Sequence, residues 1–362
     1  MNYNYKMPDL DNINKLFNSE TQNVIKSVDS LQNQLSQSFS EAIKIDFPSN
    51  YFAVKNIVVC GMGGSRFPAL IIKNLYKDRI KVPFDIVDDY LLPKYINENS
   101  LVILSSYSGT TEEVIECFNK AKEKNACITS ISAGGDISNY LKKLNKPLYV
   151  FNPIYNPSNQ PRIGLGYPIG ALIGILIKLK LIDEKEQEVQ KSINKLQDNI
   201  KSFKVGVLEK NNPVKSVAIK TYEMYPYLIV SEFLTGVGNA IANQTNETAK
   251  SISSFRVIPE LNHHLMEGLK HPDELKKIAL FIFFFSNLYS ERVKKRFKIT
   301  KEVVEKNNIK TLWFELKGKT RLDQVFELIA FGSYFSMYLS ILYNENPTTV
   351  PYVDYFKKRL SE

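Results

Sequence analysis

Cysteine is scarce in this chain of 362 residues: Cys60, Cys117 and Cys127 are the only three, with no CxxC pair and no even framework. That excludes a disulfide scaffold and leaves thiols expected in a strand, a helix and a strand, buried in a reducing compartment. Histidine is equally rare, with only His263, His264 and His271. Long apolar runs are missing too. The longest, IALFIFFF, has 8 residues, too few to cross a bilayer. The start, MNYNYKMPDLDNINK, lacks a basic stretch followed by an apolar core, so no signal peptide is expected. Low-complexity segments are absent. These absences lead to the expectation of a soluble cytoplasmic protein with no membrane partner.

What is present sets the scale. With 44% hydrophobic residues over this length, two core-bearing domains are expected. Lys and Arg number 47 against 38 Asp and Glu, a formal charge of +9, and such a field draws in a small anionic substrate. The lysines are scattered over helix-like stretches such as KLQDNIKSFK and ERVKKRFK. Without a base-reading motif, no nucleic-acid partner is expected.

A polar leader, residues 1–50, reads as helical to about Lys44. Short apolar strands then alternate with helices: strands at 56–60, 84–87, 101–105, 126–130 and 147–151, helices at 65–77 and 111–124. That alternation predicts an α/β fold with a parallel, doubly wound sheet. The Pro- and Asn-rich loop NPIYNPSNQPR leads into a helical segment, 167–206, and LEKNNPV reads as a break between domains. Beyond it YLIVSE, KIALFIFFF and TLWFEL read as strands, 235–249, 289–307 and 321–344 as helices, and YVDYFKKRL as a short terminal helix. The expected domains are 51–206 and 207–345, followed by a helical tail, 346–362.

Two loops carry the chemistry. In VVCGMGGSRF, Val58 to Phe67, a strand runs into glycines and then a helix start. Glycines let backbone N–H groups approach a ligand, and a helix N-terminus favours negative charge, so a phosphate is the expected occupant. A dinucleotide reading competes, because Asp88 ends the next strand where a ribose-binding acid would sit. Arg66 weighs against it, standing where GxGxxG places its third glycine. The second loop, LVILSSYSGTTEEVIECF, puts Ser105, Ser106, Ser108, Thr110 and Thr111 into seven positions before a helix that opens with Glu112 and Glu113. An ordinary Ser/Thr cap accounts for one or two of those five hydroxyls; a phosphate, with several acceptor oxygens, accounts for the cluster without a metal or other cofactor. Gly63, Gly64, Ser65, Ser106, Ser108 and Thr111 are the candidate phosphate ligands.

GMGGS followed roughly forty residues later by SYSGTT resembles the sugar isomerase (SIS) domain, an α/β sandwich that holds sugar phosphates at the ends of its parallel strands. QPRIGLGYPIG, NETAK, ELNHH and VDYFKKRL follow in the order and rough spacing of the bifunctional phosphoglucose/phosphomannose isomerase family, so that the resemblance spans about residues 50–360. It implies two SIS-type domains, each a parallel sheet flanked by helices. It also implies a homodimeric, metal-independent aldose-ketose isomerase acting on glucose 6-phosphate, mannose 6-phosphate and fructose 6-phosphate through an enediol.

The same resemblance assigns roles. Glu247 is the shuttle base, although the residue read by itself is a solvated helix-end carboxylate. His263 is the ring-opening acid/base, and the resemblance further implies that a histidine reaches the site from the neighbouring subunit. His264 stands where the family commonly has Asn, leaving two histidines to choose between, of which His263 is preferred. Glu260 is read as structural. Lys357 is the second ring-opening residue, and at 100° per residue it lies about 40° from Val353, near a presumed inward stripe of Val353, Phe356 and Leu360; a snorkelling surface lysine is the alternative. Arg162 is expected near the enediolate oxygens, with a loop-anchoring ion pair as its competitor. Arg66 replaces the last glycine of the usual GMGGSG, and adds a cation to the phosphate site, points away and leaves the backbone cradle unchanged, or narrows the pocket. A sugar-phosphate sensor would need the phosphate contacts but not the proton shuttle.

Overall fold

The computed structural model describes residues 8–12, 18–360 and 362. Helices α1 (Ser19–Asp29) and α2 (Leu31–Ala42) come first; Asn18 caps α1 by accepting from Thr21 N. The first sheet contains β1 (Asn56–Cys60), β2 (Phe84–Val87), β3 (Ser100–Ser105), β4 (Cys127–Ser132) and β5 (Tyr149–Val150). Between them run α3 (Phe67–Leu75), α4 (Glu112–Glu123) and α5 (Gly135–Lys143). β1 and β3 are largely apolar on both faces and, like β4, buried almost throughout, the pattern of a parallel sheet covered on both sides. All pairings are parallel, in the order β2-β1-β3-β4-β5.

The helical segment expected at 167–206 is two helices, α6 (Gly166–Lys178) and α7 (Glu186–Phe203). Lys180, in left-handed backbone at φ 58°, turns the chain between them. Helix α2 lies against α6 along Gly166, Gly170 and Gly174; a Cβ on Gly170 would stand 2.2 Å from Ser38 Oγ. Only glycine allows that approach.

The second half contains α8 (Pro213–Thr221), β6 (Tyr225–Ser231), α9 (Thr235–Ala249), β7 (Ser254–Ile258), the single turns α10 (Leu265–Gly268) and α11 (Leu275–Ile278), β8 (Ala279–Phe285), α12 (Glu291–Lys306), β9 (Lys310–Glu315), α13 (Arg321–Leu342) and α14 (Pro351–Leu360). Its sheet is again all parallel, in the order β7-β6-β8-β9. The break at LEKNNPV is also a helix start: Asn212 accepts from Val214 N and Lys215 N, and Pro213 takes the first helical position, where its missing N–H costs nothing. Strand β7 carries Arg256 on a half-exposed edge, too polar to stand out as a strand.

Helix α13 is long and apolar enough to cross a membrane, yet it is wholly buried. It packs against α7, α8 and α9, so its apolar surface is satisfied by the protein's own core. α9 also lies on α3, which joins the two halves through one core. The cysteines fall in β1, α4 and β4 and are all buried. In each sheet the strand order reverses beside the first strand, at β1/β3 and at β6/β8, the place where open parallel sheets leave a crevice at the carboxyl ends of their strands.

Candidate active site

Both signature loops meet at the first crevice. Gly63 has φ 50° and open space beside it. Ser65 ties the two loops together: its Oγ accepts from Tyr107 N at 3.0 Å, and its carbonyl accepts from Ser105 Oγ at 2.8 Å. Ser106 Oγ and Thr111 Oγ1 are 2.7 Å apart, and Gly109 N donates to Ser106 Oγ at 3.1 Å. Gly109, at φ 72°, lies so close to the next loop that a Cβ would sit 1.8 Å from Gly134 O. Ser108 is exposed and accepts from Thr110 N and Oγ1 at 3.2 and 3.0 Å. Thr111 is the N-cap of α4, but its side chain does not cap the helix. The first-turn N–H groups therefore have no side-chain acceptor, and the positive end of the helix faces the crevice.

Arg66 does not reach into this cradle. Its Nε pairs with Asp88 Oδ2 at 2.6 Å, which also occupies the acid that a dinucleotide would need. The cation is thus engaged by Asp88 and makes no contact with the cradle hydroxyls among the described residues.

Next to the glycine loop, a Cβ on Gly64 would be 3.2 Å from Arg162 N, so the loop lies against Arg162. Arg162 is only 3% exposed, and its N–H groups all have partners. Nε donates to Thr248 Oγ1 at 3.2 Å, and Nη1 to Gln160 Oε1 at 2.8 Å and Glu247 Oε2 at 3.5 Å. Nη2 donates to the carbonyls of Pro347 and Thr348 at 2.7 and 3.0 Å. Gln244 Nε2 donates to the Arg162 carbonyl at 2.6 Å. Both readings of this arginine thus meet in one place: it anchors a loop, and it touches Glu247.

Glu247 lies in the last turn of α9. Burial pushes its carboxyl above the usual glutamate range, against the nearby charges of Arg162, Lys357 and Lys250. A carboxylate raised in this way is better matched to taking and returning a carbon-bound proton. Burial likewise lowers the Lys250 ammonium to about 8, with the Arg162 charge as the next cause.

The charge of Lys357 favours the ionised form of Glu247, but the stripe expected to point inward faces outward. Val353, Phe356 and Leu360 are 42%, 63% and 60% exposed, because α14 stands clear of the core and every residue of it is exposed. His263 is exposed in the turn after β7, and the structure records no contact between it and Glu247 among the described residues. Glu260 pairs with His264, Oε1 to Nε2 at 2.7 Å. That leaves His263 as the uncommitted member of the two.

Residues 51–146 match the SIS domain family, and residues 210–360 match the family described as bacterial phospho-glucose isomerase C-terminal SIS domain. The chain is 30% identical over 346 residues to the bifunctional phosphoglucose/phosphomannose isomerase of Caldicellulosiruptor bescii, covering 94% of this chain and 99% of that one. The chain belongs to the bifunctional phosphoglucose/phosphomannose isomerase family. Two solved structures share its fold. A hypothetical protein from Thermus thermophilus has a TM-score of 0.75 at 12% identity, covering 98% of this chain and 96% of that one. A glucose-6-phosphate isomerase like protein from the same organism has a TM-score of 0.59 at 18% identity, covering 95% and 99%.

In this phosphoglucose/phosphomannose isomerase family member the structure adds residues around Glu247 that sequence reasoning passed over. Thr248 and Lys250 were visible within NETAK, where the lysine was the only cation of the motif. Gln160 stood in plain view two residues before Arg162 in QPRIGLG, whereas Gln244 and Thr348 carried no signal, because their contacts with Arg162 or its backbone span long stretches of chain.

Proposed function

We propose that this chain interconverts glucose 6-phosphate and mannose 6-phosphate with fructose 6-phosphate, without a metal ion, through an enediol. The observation that carries the reading is the junction at Arg162: its backbone borders the glycine loop of the phosphate cradle, and its guanidinium touches the half-buried carboxylate of Glu247. Phosphate binding and proton transfer are thereby set side by side.

In this mechanism the phosphate sits among Ser65, Ser106, Ser108, Thr111 and the N-terminus of α4. Lys357 and His263 open the ring. Glu247 takes the proton from C1 of the ketose and returns one to C2, or the reverse, and the contact from Arg162 Nη1, its longest at 3.5 Å, is the one that an enediolate oxygen would replace. C2 is planar in the enediol, so protonation of one face gives the glucose and of the other the mannose configuration.

The reading extends to a cytoplasmic homodimer serving carbohydrate metabolism, in which each copy lends His263 to the other. The exposed apolar face of α14 and the absence of a His263–Glu247 contact within one chain support that arrangement. A coupled assay with fructose 6-phosphate, with and without chelator, tests the activity. Equal product in both is expected; no product from any hexose phosphate would favour a sugar-phosphate sensor.

A further inference from the structure

The segment joining α13 to α14 is held by charge. Asn346 O accepts from Lys250 Nζ, and the next two carbonyls, of Pro347 and Thr348, accept from Arg162 Nη2 at 2.7 and 3.0 Å. Three successive carbonyls therefore face two cations that flank Glu247. The Asn346 side chain is fixed as well: Nδ2 donates to Glu20 on α1, and Oδ1 accepts from Thr348 N and Oγ1 at 2.9 and 2.8 Å.

Lys250 reaches this position because it ends α9 in left-handed backbone at φ 52°, three residues beyond Glu247. Its Nζ also donates to Thr248 O at 3.3 Å. Helix α14, by contrast, is exposed along its whole length, with Tyr352 at 87%. Its direction is set at its root rather than by packing along its side.

We propose that Lys250 is a positioning residue: together with Arg162 it clamps the carbonyls of residues 346–348, and so fixes the root of α14, the helix that carries Lys357. The catalytic half of this statement rests on the assignment of Lys357 to ring opening; the clamp itself does not. Lysine suits the task because an ammonium group offers three donors and no acceptor, and bonds from a charged donor are about twice as strong as neutral ones.

Endoproteinase Glu-C tests the clamp on the full chain. Glu345 is exposed and directly precedes the held carbonyls, so cleavage after it, releasing residues 346–362, reports release of the segment. Lys250→Gln is expected to speed that cleavage about tenfold, the loss of one charge-assisted hydrogen bond, and Lys250→Arg to stay within about twofold of wild type. Glu20→Ala, which loosens Asn346 from the opposite side without altering the charges beside Glu247, is expected to speed it about threefold. This surface variant keeps the proposal testable should Lys250→Gln fail to fold.

In turnover, Lys250→Gln should lower kcat on cyclic hexose phosphates about tenfold while inhibition by inorganic phosphate stays within about twofold, because the cradle lies in the other half of the chain. Unchanged cleavage in Lys250→Gln and Glu20→Ala would overturn the clamp. Faster cleavage with full turnover would overturn the positioning role. A wild-type protein without isomerase activity would refute the function above but leave the cleavage result to decide the clamp.

Discussion

The loops after β1 and β3 in the first half, and those after β6 and β8 in the second, occupy the same place in the same strand order. They are filled differently. In the first crevice Ser65, Ser106, Ser108 and Thr111 bond to each other and to backbone groups. In the second, Glu232 follows β6 and its Oε1 accepts from Ser290 N and Oγ at 3.2 and 2.7 Å, at the N-cap of α12. Its backbone is left-handed, at φ 45°, a conformation that costs a non-glycine residue about 1 kcal/mol or more. In the loop after β9, buried Glu327 accepts from Lys317 N at 2.9 Å and Gly318 N at 2.8 Å. The second half supplies its own anions. The comparison teaches that the two reversals are bridged by different chemistry, by hydroxyls and backbone groups in the first and by the Glu232 carboxylate in the second.

If that is right, substitutions in the second half cost stability and those in the first cost affinity. The largest effect is expected for Glu327→Ala. It removes the acceptor of the part-buried Lys317 and Gly318 N–H groups and empties a buried site, and should destabilise the fold by about 2–3 kcal/mol, lowering Tm by several degrees with the KM for hexose phosphates unchanged. A changed KM with an unchanged Tm would break the comparison. Ser106→Ala should weaken every hexose phosphate about tenfold, as expected for one bond to a charged group, with little change in Tm. Weakening of a single sugar would mean that Ser106 reads the sugar instead.

Glu232→Gln should lower stability by about 1 kcal/mol, the worth of a charged cap, and leave KM alone; thermal unfolding and steady-state kinetics together check this. The smallest effect belongs to Arg66→Gly. With its guanidinium on Asp88, affinity for hexose phosphates should stay within about twofold, and a larger loss would return that cation to the cradle.

The sequence showed the first half more clearly than the second, for a physical reason. GMGGS and SYSGTT are local: the glycines and hydroxyls that build the cradle lie within a few residues of the strands that present them. The acids of the second half act over distance. Glu232 meets Ser290, and Glu327 meets Lys317, across gaps that no short motif records. The same holds for Arg162, whose identity was legible but whose grip on Pro347 and Thr348 was not. Helix α14 was correctly placed from VDYFKKRL, but its apolar stripe faces outward because helical periodicity reveals an amphipathic face and not what covers it.

Everything proposed for the site requires Glu247 to move a proton between two carbons of a phosphate-anchored sugar. Fructose 6-phosphate incubated in heavy water with the wild-type protein and with Glu247→Gln tests this directly. The wild type is expected to give both glucose 6-phosphate and mannose 6-phosphate carrying deuterium at C2, and Glu247→Gln to bind the substrate but lose about 10²-fold or more in rate. Undiminished turnover by Glu247→Gln, or aldose phosphates without solvent deuterium, would contradict it.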